Sequence, residues 1–263
     1  MDRNEDEDPG KSGPKLAIVT GASRGIGRNT AMSLAKRGVD VIVTYHVNRA
    51  EADATVGTIL ALGRKAVTLC LDTGDASTFD DFSEQVGKAL SETWQRDSFD
   101  YLVNNAGTTL IAPFAETKEA DFDALFNIHF KGVFFLTQKL LPLMADGGRI
   151  VNISSGLTRF IFPGLSAYAS VKGAVEVLTR YLAKELGPRG ITVNTVAPGP
   201  TKTDIGGGAN NDNPEQDNFI GSVTALGRMG VPDDIGPMIA SLLSDENRWV
   251  TAQRIEVSGG TFL

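Results

Sequence analysis

Short runs rich in valine and isoleucine alternate along this chain with longer amphipathic segments, and that alternation restricts the fold more than any single residue does. Strand-like runs are expected at 15–20, 39–45, 65–71, 101–104, 149–154, 192–197 and 254–257, with helical patterns at 29–36, 49–62, 78–94, 119–144, 167–186 and 232–243. Strands that are apolar on both faces need cover on both faces, and the intervening helices supply it. The order implies an α/β fold, a doubly wound parallel sheet of the Rossmann type, with ligands bound at the carboxyl ends of the strands.

No internal linker divides the 263 residues, so one domain is expected over 14–263. Residues 1–13 carry five acidic and two basic side chains and no apolar stretch, which reads as a disordered acidic extension rather than a signal peptide. The net charge of −7 offers no basic field for nucleic acid, and no apolar run reaches the roughly 18 residues of a membrane helix. Cys70 is the sole cysteine, so neither an intrachain disulfide nor a zinc cluster is available, and a cytoplasmic setting is expected. Cys70 itself reads as a buried strand residue. No metal site is expected, with only His46 and His129 to draw on.

Between the first strand and first helix stands Thr20-Gly21-Ala22-Ser23-Arg24-Gly25-Ile26-Gly27. Glycines at 21, 25 and 27 permit a tight turn, close approach to a pyrophosphate and close packing of the helix, whose N-terminus presents free N–H groups. Further on, Tyr168 and Lys172 are four residues apart in Ala167-Tyr168-Ala169-Ser170-Val171-Lys172-Gly173. Positions i and i+4 share a helix face, so the ammonium is expected near the phenol, favouring its ionised form.

With Asn104-Asn105-Ala106-Gly107 after the fourth strand, these motifs make the whole chain beyond the acidic extension resemble the short-chain dehydrogenases/reductases, with 3-oxoacyl-[acyl-carrier-protein] reductase the nearest named activity. The resemblance implies a catalytic set of Asn127, Ser155, Tyr168 and Lys172. Tyr168 would be the acid in ketone reduction and the base in alcohol oxidation, and Lys172 would promote the tyrosinate and hold the nicotinamide ribose. Ser155 would hold the carbonyl, with Ser154 as fallback, and Asn127 would position a relay water. For the cofactor it implies the turn residues Gly21, Ser23, Arg24, Gly25, Ile26 and Gly27, then Asp72 and Thr73 at the adenine, and Asn104, Ala106 and Gly107 beside the adenosine ribose. Pro198, Gly199, Thr201 and Thr203 would lie near the nicotinamide. The family's NAD-selecting carboxylate is replaced by Tyr45, with His46 beside it, and Arg24 can pair with a 2′-phosphate, so NADP(H) is expected rather than NAD(H).

The expected reaction is hydride transfer between that cofactor and a small-molecule ketone or secondary alcohol. An acyl-carrier-protein substrate is the alternative; Asp146 in 144–149 argues against it, while Arg180 and Arg189 remain. A non-catalytic NADP(H) sensor is a rival of another class, with no use for a proton donor. Leu157, Phe160 and Phe162, with Arg159 for an acidic group, are candidates for a pocket wall, and the glycine-rich stretch 206–214 for a lid. His129 reads as a packing or interface residue. Relatives pair through the helices that carry Phe126, Phe130, Phe134 and Tyr168, so the resemblance implies a homo-oligomer, a tetramer.

Overall fold

Seven strands lie side by side in one parallel sheet. The computed structural model of the protein describes residues 13–205 and 213–263. It contains β1 (Leu16–Val19), β2 (Asp40–Tyr45), β3 (Ala66–Cys70), β4 (Phe99–Asn104), β5 (Met144–Ile153), β6 (Thr192–Pro198) and β7 (Arg254–Val257). Their order is β3-β2-β1-β4-β5-β6-β7, and every pairing is parallel. The chain winds outward from β1 to β3, then returns to place β4 on the other side of β1. Ligand crevices open at such a reversal, at the carboxyl ends of the strands. The acidic extension, apart from Gly13, and residues 206–212 of the expected lid lie outside the described residues.

The helices are α1 (Gly25–Lys36), α2 (Arg49–Ala61), α3 (Phe79–Ala89), α4 (Glu119–Phe126), α5 (Gly132–Leu140), α6 (Ser166–Leu186), α7 (Pro214–Ser222) and α8 (Pro232–Leu242). Successive strand side chains point to opposite faces, and the core divides accordingly. Ala17, Val19, Val41 and Val43 pack with Leu34 of α1, Ile59 of α2 and Ile239 of α8. Leu16, Ile18 and Ile42 face Phe82 of α3, Leu136 of α5 and Leu186 of α6. None of the described helices is long and apolar enough to cross a membrane.

A buried polar ladder fixes α5 and α6 against the sheet. Asn104 Nδ2 donates to Asn152 Oδ1 at 2.8 Å and to Thr137 Oγ1 at 3.0 Å. Asn152 Nδ2 donates to Thr179 Oγ1 at 2.9 Å, and Thr195 Oγ1 donates to the same oxygen at 2.8 Å. Polar groups this deep need partners, and pairing the amide nitrogens and hydroxyls in one arrangement sets where α6 lies along the strands, with Asn104 Oδ1 alone in the ladder lacking a partner among the described residues.

Three local expectations differ from the structure. Residues 119–144 are not one helix: α4 gives way to a π-helical turn over Asn127–Lys131, then α5, then a tight turn at Leu141–Leu143, and Met144 already belongs to β5. Pro142 has no N–H to continue α5, and π turns occur mostly as single insertions, often at functional sites. Helix α7 was not foreseen, although Asn213 caps it, accepting from the amides of Glu215 at 3.1 Å and Gln216 at 3.2 Å. Cys70 is exposed, because it ends the edge strand β3.

Candidate active site

The turn after β1 is shaped by hydrogen bonds from the β4 side. Thr20 Oγ1 accepts from the amides of Asn105 and Ala106, both at 2.9 Å. Asn105 Nδ2 donates to the carbonyls of Thr20 at 2.8 Å and Gly21 at 3.2 Å. The two loops are thereby locked edge to edge. Gly21 has φ +63°, and a Cβ there would lie 2.9 Å from Ala106 Cα; a Cβ on Gly27 would lie 2.4 Å from both Asn105 Nδ2 and the Gly21 carbonyl. No acidic side chain sits in the first turn of α1 and no side chain caps it, so its leading amides and dipole remain available to an anion.

This turn forms one end of a cavity of about 720 Å³ that runs along the carboxyl ends of the strands to α6. Of the residues singled out from sequence for catalysis or cofactor binding, all line it except Tyr45, Asn104 and Asn127. Tyr45 packs instead against the apolar layer under α1 and α2. Asn104 is consumed by the buried ladder. Asn127 opens the π turn, and the residue of that turn that reaches Tyr168 is His129. At the β2 end, His46 Nε2 lies 3.4 Å from Asp72 Oδ2, and Asp72 Oδ1 accepts from the Gly74 amide at 2.8 Å. Asn48, Asn105 and His129 line the cavity without having been foreseen.

At the other end, α6 presents Tyr168 and Lys172 on the same face, with the Lys172 Nζ 5.7 Å from the phenol ring centre. Ser155, just beyond β5, is buried and lines the cavity with Tyr168, its Oγ accepting from the Leu157 amide at 3.2 Å. Ser154 also lines the cavity, but its hydroxyl is engaged, donating to Glu176 Oε1 at 2.7 Å. Lys172 is 4% exposed and donates to the Ile153 carbonyl at 2.7 Å. Burial brings its ammonium down to about 7. Tyr168 moves the opposite way from the expectation: burial pushes its phenol up to about 12, against a smaller lowering from Ser155. Taking both groups out of water favours the neutral form of each, and this outweighs their proximity.

Residues 157–162 do not line this cavity. Phe160 and Phe162 join Phe262 in an aromatic cluster that also takes in Phe219 of α7. Arg159 is bound to Glu256 at 2.5 Å and to the carbonyls of Thr261 at 2.6 Å and Phe262 at 2.8 Å, so it is occupied within the protein rather than offered to an acidic ligand.

Residues 21–261 match the family described as enoyl-(acyl carrier protein) reductase. Among solved structures, LugOII, a promiscuous reductase that catalyses keto-reduction at C1 in lugdunomycin biosynthesis, superposes with a TM-score of 0.90 and is 40% identical, covering 95% of this chain and 99% of its own. The angucycline C-6 ketoreductase LanV with bound NADP also gives 0.90, at 37% identity, covering 94% of this chain and 95% of its own. The hydroxynaphthalene reductase-like protein Arp2 of Metarhizium majus (strain ARSEF 297) is 35% identical over 270 residues, 98% of each chain. Likeness of this extent, in sequence and in the course of the backbone, covers the glycine turn and the Tyr168 helix together: the chain belongs to the short-chain dehydrogenase/reductase family.

Proposed function

We propose that the protein is an NADP(H)-dependent reductase of a free small-molecule ketone, oxidising the secondary alcohol in reverse. The observation that carries this reading is the gathering of Ser155, Tyr168 and Lys172 at one end of the same cavity whose other end is the glycine turn. The residues fit a dinucleotide. A Cβ would fill the cradle at Gly21 and Gly27, the first turn of α1 has no carboxylate of its own, and Arg24 lines the cavity beside it. When bound, the nicotinamide supplies the hydride. Ser155 then holds the substrate oxygen, and Tyr168 gives that oxygen its proton. In the reverse direction Tyr168 takes the proton from the alcohol.

Preference for a 2′-phosphate is supported by the absence of a carboxylate at the end of β2, where Tyr45 packs inward and leaves His46, Asn48 and Arg24 around the opening. The bound NADP of LanV supports the same choice. A free ketone is favoured over a carrier-bound chain because Arg189 is tied to Asp146 at 2.7 Å and to the Leu141 carbonyl at 3.0 Å. The names of LanV, an angucycline ketoreductase, and of Arp2, a hydroxynaphthalene reductase-like protein, make angucycline and naphthalene-derived ketones the first compounds to try. Assembly into a homo-oligomer is supported by the ladder Phe122, Phe126, Phe130 and Phe134, with adjacent ring centres 6.5, 5.4 and 6.4 Å apart. Its outer rings are more than a third exposed, and a tetramer formed through this face and α6 would cover them. The single cysteine, exposed and unpaired with another, suits a reducing cytoplasm.

Turnover of purified protein with NADPH or NADH against a panel of polycyclic, cyclic and 3-oxoacyl ketones tests the reading. NADPH is expected to be preferred, and Arg24→Ala to reduce that preference about tenfold, the scale of a charge-assisted hydrogen bond. Preference for NADH in the wild type, or an unchanged ratio in the variant, overturns the cofactor assignment.

A further inference from the structure

The turn that carries Ser155 is tied to α6 by charged groups with no part in the chemistry above. Glu176 stands one helical turn beyond Lys172 and two beyond Tyr168, so the three share a face of α6. Its Oε1 accepts from Ser154 Oγ at 2.7 Å and from Arg254 Nε at 2.9 Å, and lies 2.8 Å from Thr158 Oγ1. Ser154 and Thr158 flank Ser155 in the chain, and Arg254 opens β7. The same guanidinium reaches further: Nη2 donates to Thr158 Oγ1 at 3.1 Å and to the Ser155 carbonyl at 3.4 Å, and Nη1 to Glu256 Oε2 at 3.0 Å. Glu256 in turn holds Arg159, just past the turn. Charges of opposite sign thus alternate from α6 through β7 to the chain after Ser155, and the side chains of Glu176, Arg254 and Glu256 are each at most a quarter exposed.

Resting on the function proposed above, we propose that Arg254 and Glu176 are positioning residues for Ser155: their ion pair fastens the turn that carries the serine to the helix that carries Tyr168 and Lys172, and so sets where the serine hydroxyl stands relative to the phenol. The two hydroxyls belong to different elements, and β5 and α6 are joined by a loop that does not fix their spacing. Ser155 caps the tight turn Gly156–Thr158, its Oγ accepting from the Leu157 amide. That contact orients the hydroxyl and leaves its proton to be donated. A single turn of this length does not hold its shape unaided. The Thr158 hydroxyl has one proton for two acceptors, the Ser155 carbonyl at 3.0 Å and Glu176 Oε1 at 2.8 Å. Arg254 resolves the conflict, since its fork donates to both acceptors and to the Thr158 oxygen between them. A planar guanidinium can serve such divergent partners in fixed directions, whereas an ammonium is a point charge. Hydride transfer depends on alignment of the carbonyl that Ser155 holds, so a small displacement of this turn reaches the rate.

Arg254→Met keeps the stem and removes the fork, Arg254→Lys keeps the charge alone, and Glu176→Gln keeps an acceptor for Ser154 and Thr158 without the charge that faces Arg254. With NADPH and a ketone that the wild type reduces, kcat is expected to fall about tenfold in Arg254→Met and about threefold in each of the other two, the scale of a sub-ångström displacement of a reacting group, while the KM for NADPH stays within about twofold of wild type. Because the loss passes through the serine, Arg254→Met should cost less than about twofold in a Ser155→Ala background. Hydrogen exchange read by mass spectrometry judges the geometry without a substrate: peptides spanning 155–160 should exchange at least about tenfold faster in Arg254→Met, and those spanning the glycine turn at 20–27 should keep the wild-type rate. An equal loss of kcat with and without Ser155, or exchange at 155–160 unaltered in Arg254→Met, overturns the proposal. If Arg254→Met does not fold, Arg254→Lys and Glu176→Gln decide by the same two measurements. If no ketone is turned over, the proposed function fails while exchange at 155–160 still judges Arg254.

Discussion

At the glycine end of the cavity the groups that face a ligand are backbone amides, held in place by Thr20 and Asn105; at the α6 end they are Tyr168, Lys172 and His129, titratable side chains taken out of water. The amides of that turn cannot change their charge, and the turn's tolerance is set by space: a methyl group on Gly21 or Gly27 meets backbone at under 3 Å. The second end has room but holds groups whose protonation is pulled away from ordinary values, Tyr168 up to about 12 and Lys172 down to about 7. Damage at the glycine end should therefore appear in cofactor affinity. Damage at the α6 end should appear in turnover and in pH dependence.

The strongest way to break this contrast is Tyr168→Phe. Removing the phenolic proton should lower kcat about a thousandfold, within the range for general acid catalysis, while NADPH affinity by titration calorimetry changes less than about threefold, under 1 kcal/mol. A variant that keeps a tenth of wild-type turnover would show that the proton comes from elsewhere. Next in size is Gly27→Ala. Its Cβ has to displace both the Gly21 carbonyl and the Asn105 amide, and overpacking of this kind costs on the order of 1–3 kcal/mol. NADPH affinity should fall at least about tenfold with kcat at saturation reduced far less; an equal loss in both would join the two ends instead of separating them.

A smaller effect sharpens the comparison through stability. In the unfolded chain Lys172 titrates near the ordinary lysine value of 10.5, and in the folded, ligand-free protein near 7. Between those values the unfolded chain holds the extra proton, so this residue makes stability rise with pH from about 7 to 10.5 and imposes its full penalty below 7. Lys172→Met should accordingly unfold at higher urea concentration than wild type at about pH 6.5, by roughly 1–3 kcal/mol, and the gap should narrow by about pH 9. A gap that is constant with pH would mean that packing rather than desolvation distinguishes the two proteins. Arg24→Ala, which alters cofactor choice with no buried charge involved, should show no such pH-dependent stability.

The features visible in the chain were those that local geometry dictates. Strand and helix alternation gave the parallel sheet and the end at which the cavity opens. The glycine spacing marked the cradle, and the four-residue interval set Tyr168 and Lys172 on one helix face before any tertiary contact was considered. What local geometry leaves open was settled by distant partners. Asn104 and Asn105 are adjacent and chemically identical, yet one is spent on the buried ladder with Asn152 and Thr137 and the other binds the glycine turn, because successive strand residues point opposite ways. His129 lines the cavity and Asn127 does not, because a π turn alters which residues of a helix face its neighbour. Arg159 is lost to ligands because Glu256 and the carbonyls of Thr261 and Phe262 claim it from about a hundred residues away.

The sequence by itself determined the order of the elements, the family, the phosphate cradle and the spacing of phenol and ammonium, since each depends on residues within a turn or two of one another. The tertiary structure alone decided which polar side chains reach the cavity and in which direction burial draws the protonation of Tyr168 and Lys172, because desolvation and hydrogen bonding depend on neighbours that the fold brings in from distant parts of the chain.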